Sequence, residues 1–336
     1  MSKKEIKSKS RSVYYHRAQF LKTDSFSVDK TLEEMLNQAW DQLDTTPERT
    51  FYAGDEKSLV GMKRSSKIAK LSKGNKDCTV FSIGTYEAGA SANTITDPNL
   101  GQVELEADTI DAPEDREFLD GEGFVCVYGN HIFMSPAANL RAGNVNGFME
   151  SMLIRGGFDQ AASAIEIHQI ADIDKVNTIE EEGVKNIVVN ASTYLSSLEY
   201  IKRVSPDTKT PTVLRKFTNM VKSQFDLFCD DDTDADVIEK SGINTKIVVS
   251  HDSRVSGDDA RQGHEKVKET AKLLAGTDVS GYTIITKRDT TLTHDDLVLK
   301  RVVSVPRHGK TVHLDKMWLR LIEVLEAYES KGILEQ

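Results

Sequence analysis

"GFVCVYGNHIFMS", Gly123 to Ser135, is the stretch from which the rest of the chain is read. Two apolar runs flank Gly129-Asn130, a pair that tolerates positive φ and fits a two-residue hairpin turn. Just downstream, Val145, Phe148, Met149 and Met152 recur at helical spacing behind Asn144, which is the expected N-cap, and Gly156-Gly157 stops the helix.

Toward the N-terminus, "SVYYHRAQFL" (Ser12–Leu21) alternates loosely and reads as an opening strand. Thr31 and Glu34 form a capping box ahead of Leu32, Met35, Leu36, Ala39, Trp40 and Leu43, one face of an amphipathic helix. "KSLVGMKRSSKIAKLSKGNK" (Lys57–Lys76) is basic with few bulky apolar residues and fits a helix face or a loop. "TVFSIG" (Thr79–Gly84) reads as a strand and "ASANTITDPNLGQ" as a loop.

Past residue 163, "AIEIHQI", "VKNIVVNAS", "TKIVVSH", "YTIIT" and "DLVLKRVVSV" read as strands. Two helices lie between them: "TPTVLRKFTNMVKSQFDLF", with Pro211 in its first turn, and residues 257–275, stopped by Gly276. A last helix runs from Met317 to Tyr328. The expected class is α+β, with two domains of mixed sheet and helices and a C-terminal hairpin-helix element. The expected divisions are 1–160, 161–285 and 286–336, the second a candidate for dimerisation.

The 336 residues are 38% hydrophobic and 29% charged, a globular composition. No apolar run reaches the ~18 residues of a membrane span, and the basic start "MSKKEIKSKSRSVYY" lacks the apolar segment of a secretory signal. Cys78, Cys126 and Cys229 are far apart and fit a reducing cytosol, so the expected location is cytoplasmic. Net charge is −10, unevenly spread. Residues 1–76 hold 16 Lys/Arg against 10 Asp/Glu, residues 77–130 one against 12, and residues 287–320 eight against four.

Enzyme signatures are absent: no Walker loop, no dinucleotide fingerprint, no H-E-x-x-H and no G-x-S-x-G. Asp230, Asp232 and Asp234 open like an EF-hand loop, but Ala235 and Ser241 stand where Gly and Glu belong. No metal ligand, catalytic residue or cofactor is expected. The cations offer more. Lys63, Arg64, Lys67, Lys70, Lys73 and Lys76 form a strip with serines between them, suited to phosphate contact without base readout. Lys287, Arg288, Lys300, Arg301, Arg307 and Lys310 form a second group, the last two in a Pro306–Lys310 turn at the tip of a hairpin.

The order of these elements resembles that of the phage lambda exclusion protein RexA and its kind, the DNA-binding sensor half of an abortive-infection pair. The resemblance is one of layout and rests on no diagnostic motif. The present chain has extra length in residues 190–240 and 270–295. It implies a homodimer that binds duplex DNA with little sequence preference, acts in phage exclusion and works with a membrane-protein effector encoded nearby. It supplies no catalytic residues. A dimer seam is expected on the last helix at Trp318, Leu321, Leu325 and Tyr328. The alternatives are a toxin nuclease using His16, His308 or His313 as acid–base groups, and a protein-interaction scaffold that binds no nucleic acid.

Overall fold

The structure, a computed structural model, describes residues 7–20, 28–53, 56–97, 99, 104, 107–137, 140, 142–204, 212–225, 245–250, 257–277 and 279–335. It divides into two compact units. The first is Met1–Val13, Phe20–Ile165 and Arg301–Gln336, and the second is Tyr14–Gln19 and Glu166–Lys300. The stretch expected as a separate 286–336 piece is therefore shared: through Lys300 it belongs to the second unit, and from Arg301 to the first. Sheets built from antiparallel pairs, with helices packed on them, make the class α+β.

In the first unit the strands are β1 (Ser8–Phe20, whose last residues after Val13 pass into the second unit), β2 (Thr50–Tyr52), β3 (Lys57–Leu71), β4 (Gly74–Glu87), β7 (Gly121–Tyr128), β8 (His131–Ser135), β14 (Lys300–His308) and β15 (Thr311–Val312). Their order is β15-β14-β1-β8-β7-β4-β3-β2. Between β4 and β7 the chain leaves this sheet to form a two-stranded ribbon of β5 (Ala92–Ile95) and β6 (Ala107–Ile110). The stretch expected as a loop therefore contains a strand, one only four residues long that lacks an apolar alternation.

Register fixes which residues share a face. Phe81, Val125 and Met134 line up across β4, β7 and β8 on one side of the sheet, and Val80, Cys126 and Phe133 on the other. Helices α1 (Leu32–Gln42) and α2 (Ala142–Arg155) cover the first side. The Trp40 and Phe148 rings lie 5.6 and 6.3 Å from Phe81. The last helix, α9 (Leu314–Ser330), covers the second, with Tyr328 at 5.9 Å from Phe133. Trp318, Leu321, Leu325 and Tyr328 are 1, 0, 0 and 6% exposed. The stripe expected as a dimer seam is thus the core-facing side of this unit's own helix, because a sheet face packed against a helix needs the same spacing that a coiled coil does.

The Gly129-Asn130 turn is tied to α1. Gly129 takes φ +58, its N–H donates to the Glu33 carboxylate at 2.7 Å, and Asn130 Oδ1 accepts from Leu32 N–H at 2.8 Å. The Thr31–Glu34 capping box closes the same helix end. Helix α2 starts at Ala142, so Asn144 sits inside its first turn and is not the cap; the apolar spacing marks the helix but not its first residue.

The second unit has the antiparallel sheet β11-β10-β12-β13 and a separate pairing of β9 (Ile165–Gln169) with β1. The sheet strands are β10 (Val184–Asn190), β11 (Lys246–Ser250), β12 (Tyr282–Thr286) and β13 (Thr291–Thr293). Helices α3 (Asp159–Ala164, which ends the first unit), α4 (Ile173–Glu182), α5 (Ala191–Val204), α6 (Thr212–Phe225), α7 (Asp258–Ala275) and α8 (His294–Leu297) complete the chain. The second core gathers Ile187, Val189, Tyr194, Val221, Leu274 and Ile284. Gly281 is needed there: it takes φ +84, and a Cβ on it would meet the Tyr194 backbone at 2.5 Å. Pro211 and the acidic run 230–241 lie outside the described residues.

Candidate nucleic-acid interface

Strand β14 stays extended through His308, pairing Arg307 with Val312 and His308 with Thr311. The turn is therefore Gly309-Lys310 alone, with Gly309 at φ +58. Pro306 lies within the strand, and its carbonyl accepts from His313 N–H at 3.0 Å. The start of β1 joins this tip: Arg307 N–H donates to the Lys7 carbonyl at 2.9 Å, and Lys9 Nζ donates to the Lys310 carbonyl at 3.0 Å. Lys7, Lys9, Arg307 and Lys310 are all exposed. Two cations from each end of the chain thus share one tip.

The tip is fixed from below. Thr311 Oγ1 donates to Glu122 Oε2 at 2.6 Å, and the Arg11 guanidinium donates to the Glu122 and Ser135 carbonyls at 2.9 and 3.2 Å. Burial raises the pKa of the Glu122 carboxyl, against the pull of the Thr311 hydroxyl, Arg11 and His308. Burial likewise lowers that of Arg11. A carboxylate from far away in sequence therefore acts on His308. The His308 and His313 rings are 4.9 Å apart. His16 is different: it is fully buried in the second unit, both ring nitrogens lack partners, and burial, with His168 nearby, lowers its pKa to about 3. It is closed to substrate and drops out as an acid–base candidate.

The Lys63–Lys76 strip is a β-hairpin, and the pleat divides it. Lys63 pairs with Ser82 and Lys67 with Cys78, on the α9 side, where their ammonium groups lie 6.0 and 5.7 Å from the Trp318 ring. Arg64 pairs with Phe81 on the opposite side, donates to the Asn37 carbonyl at 2.8 Å and forms an ion pair with Asp41. There it lines a polar groove of about 260 Å³ with Glu33, Asp41 and Asp77. At the hairpin tip, Lys70 and Ser72 N–H groups donate to Glu326 and Glu329, and Lys73 is 3.8 Å from Glu335. Lys76 pairs with Ala69 on the α9 side. Within the strip, Arg64 and Lys73 have acids at ion-pair distance, Asp41 and Glu335.

Lys287, Arg288 and Lys300 belong to the second unit. Lys287 lies against Gly183, Arg288 acts on the Glu182 carboxylate, and Lys300 is 3.6 Å from Asp295. Arg301 is exposed on β14, six residues from Arg307 and so about 20 Å along the strand. Of the twelve cations expected to contact DNA, the structure gathers Arg307 and Lys310, and adds Lys7 and Lys9. Linear spacing could not reveal that pair, although the basic start of the chain was the available signal. Among the described residues no group of three or more His, Cys, Asp or Glu is arranged to hold a metal ion.

No protein-family model matches this chain, and no curated protein matches it.

Proposed function

We propose that this chain is a non-enzymatic protein that binds duplex DNA through its phosphates, with little sequence preference. The observation that carries the reading is the convergence of Lys7, Lys9, Arg307 and Lys310 on one exposed tip. Four exposed cations at one hairpin tip suit counterion release from a polyanion and offer no element shaped to read base edges. The layout resemblance extends the proposal to a cytoplasmic homodimer acting in phage exclusion or abortive infection with a membrane-protein effector. The dimer surface is then something other than the buried α9 stripe. No helix among the described residues is long and apolar enough to cross a membrane. The test is to incubate the protein with duplex DNA, with Mg²⁺ and with EDTA. A mobility shift without cleavage supports the proposal, and the absence of a shift at 50 mM salt rejects it.

One observation favours a nuclease as the second reading. Two imidazoles 4.9 Å apart, of which His308 acts on the Glu122 carboxyl, could exchange protons with a phosphodiester held by the tip cations. Such chemistry predicts EDTA-resistant RNA cleavage that His313→Ala abolishes. RNA left intact by the parent protein rejects it.

A further inference from the structure

In the β14–β15 hairpin, Arg307 pairs with Val312, His308 pairs with Thr311, and the Pro306 carbonyl accepts from His313 N–H. Strand alternation therefore puts His308, Thr311 and His313 on one face, with the two histidines as a diagonal pair. The backbone under each is fixed. His308 abuts the two-residue turn, and His313 is held by its bond to Pro306 and by Met317 N–H, which donates to the His313 carbonyl at 2.9 Å as α9 begins. Both side chains are exposed. Their ring centroids lie 4.9 Å apart, with the planes inclined at 42°.

That spacing matches the bite of a metal ion. An imidazole bound through nitrogen at about 2.1 Å has its ring centre about 3.2 Å from the metal. Two such rings stand about 4.5 Å apart at a 90° angle and about 5.2 Å apart at 109°. The observed 4.9 Å corresponds to about 100°, between octahedral and tetrahedral coordination. Aromatic rings in simple contact range from about 4.5 to 7 Å, so this pair is at the short end and the backbone need not move for both rings to reach one ion. Thr311 donates to Glu122 Oε2 at 2.6 Å, and His308 acts on that carboxylate. Glu122 is thus a counter-charge already bonded to Thr311. No third protein ligand is arranged beside the pair among the described residues, which leaves the other coordination positions to water or an incoming anion.

We infer that His308 and His313 together chelate one divalent transition-metal ion, of the zinc, copper and nickel kind, on this face of the hairpin. Imidazole nitrogen selects such ions over Mg²⁺ and Ca²⁺, which take oxygen ligands. The inference does not rest on the DNA-binding reading, since the histidine pair needs no phosphate. The surrounding charge gives the site a signature of its own. Lys7, Lys9, Arg307 and Lys310 share the tip and repel a dication, and Glu122 offsets part of that repulsion. Screening weakens the repulsion, so added salt strengthens metal binding here. Metal held loosely by the carboxylates of this chain, whose net charge is −10, responds in the opposite sense.

The test is calorimetric titration of Zn²⁺ into the untagged full chain, in sodium nitrate from 50 to 200 mM. One Zn²⁺ per chain is expected, bound more tightly at the higher salt. His308→Asn and His313→Asn are each expected to weaken it at least tenfold, and His264→Asn, in the second unit, to leave it unchanged. Arg307→Ala with Lys310→Ala is expected to tighten it about threefold, by removing two repelling charges. Urea midpoints matched to the parent show that the variants are folded. A second readout needs no variant: Cu²⁺ bound at one equivalent to the parent is expected to show electron paramagnetic splitting from two nitrogens. No Zn²⁺ bound by the parent, binding that survives both histidine changes, binding that weakens with salt, or Cu²⁺ with fewer than two nitrogen ligands overturns the inference. The DNA-binding reading stands or falls separately, on the mobility shift.

Discussion

Lys9 and Lys310, which meet at the β14–β15 tip, are 301 residues apart, whereas the six cations of β3 and β4 come from the one run Lys63–Lys76. The distant residues meet at one tip, and the adjacent ones are divided between the two sides of a sheet. On a strand, neighbours point to opposite faces, so Lys63 and Arg64 end on opposite sides of the sheet. Each side then supplies its own acids or rings: Asp41 for Arg64, Trp318 for Lys63 and Lys67. The paired start of β1 and the β14–β15 turn, by contrast, bring Lys9 and Lys310 into contact. Strand β2 pairs only with Ser58–Val60, and lysines along the remaining edge of β3 discourage pairing with another sheet.

The contrast can be broken most forcefully at Trp318. If Lys63 and Lys67 rest on a core residue, Trp318→Ala costs about 3–5 kcal/mol, read as a lower urea midpoint. An unchanged midpoint would mean that the ring serves a surface and leaves those lysines free for DNA. A second test exploits β1, whose first half feeds the exposed tip and whose second half buries His16. Folding keeps that imidazole neutral, so the unfolded chain binds the extra proton between pH 6.5 and about 3. Stability therefore falls as pH falls through this window, by up to about 3 kcal/mol at pH 4 from this group. His294, whose pKa burial also lowers, adds to the loss. Denaturation between pH 7 and 4 is expected to show a flatter profile in His16→Leu, and an identical profile contradicts the burial.

Smaller effects sharpen the same comparison. Thr311→Val removes a hydroxyl donor from a partly buried carboxylate and should cost about 1 kcal/mol. Glu122→Gln combined with it should cost less than the sum, because the two share one contact. Additive losses in chemical denaturation would detach the tip from its support. Arg64→Ala, at a part-exposed ion pair, should cost less than about 1 kcal/mol and leave DNA affinity within twofold. A tenfold loss of affinity would restore the β3–β4 hairpin as an interface.

How much was legible in the sequence follows from how local each signal is. The Gly129-Asn130 hairpin, the Thr31–Glu34 cap and the α9 stripe depend on neighbours a few residues apart, and the structure has all three. The stripe's partner was not legible, since a sheet and a second helix ask for the same spacing. Strand β3 was illegible because its buried positions include the small residues Gly61 and Ala69, so no bulky alternation shows. The tip was half legible: Gly309 and its flanking cations marked the turn, but Lys7, Lys9 and Glu122 arrive only through pairing across the sheet.

The central claim is that phosphate binds at the β14–β15 tip and not on the β3–β4 hairpin. The most direct measurement is duplex affinity from 50 to 200 mM salt for the parent, for Arg307→Ala with Lys310→Ala, and for Lys70→Ala with Lys73→Ala and Lys76→Ala. Four phosphate contacts give a log–log slope of about −3.6 and a loss of about 150-fold over that range. The account predicts that the tip variant halves this slope, to about −1.8, while the hairpin variant keeps it. A hairpin variant that flattens the slope, beside a tip variant that behaves like the parent, contradicts the account.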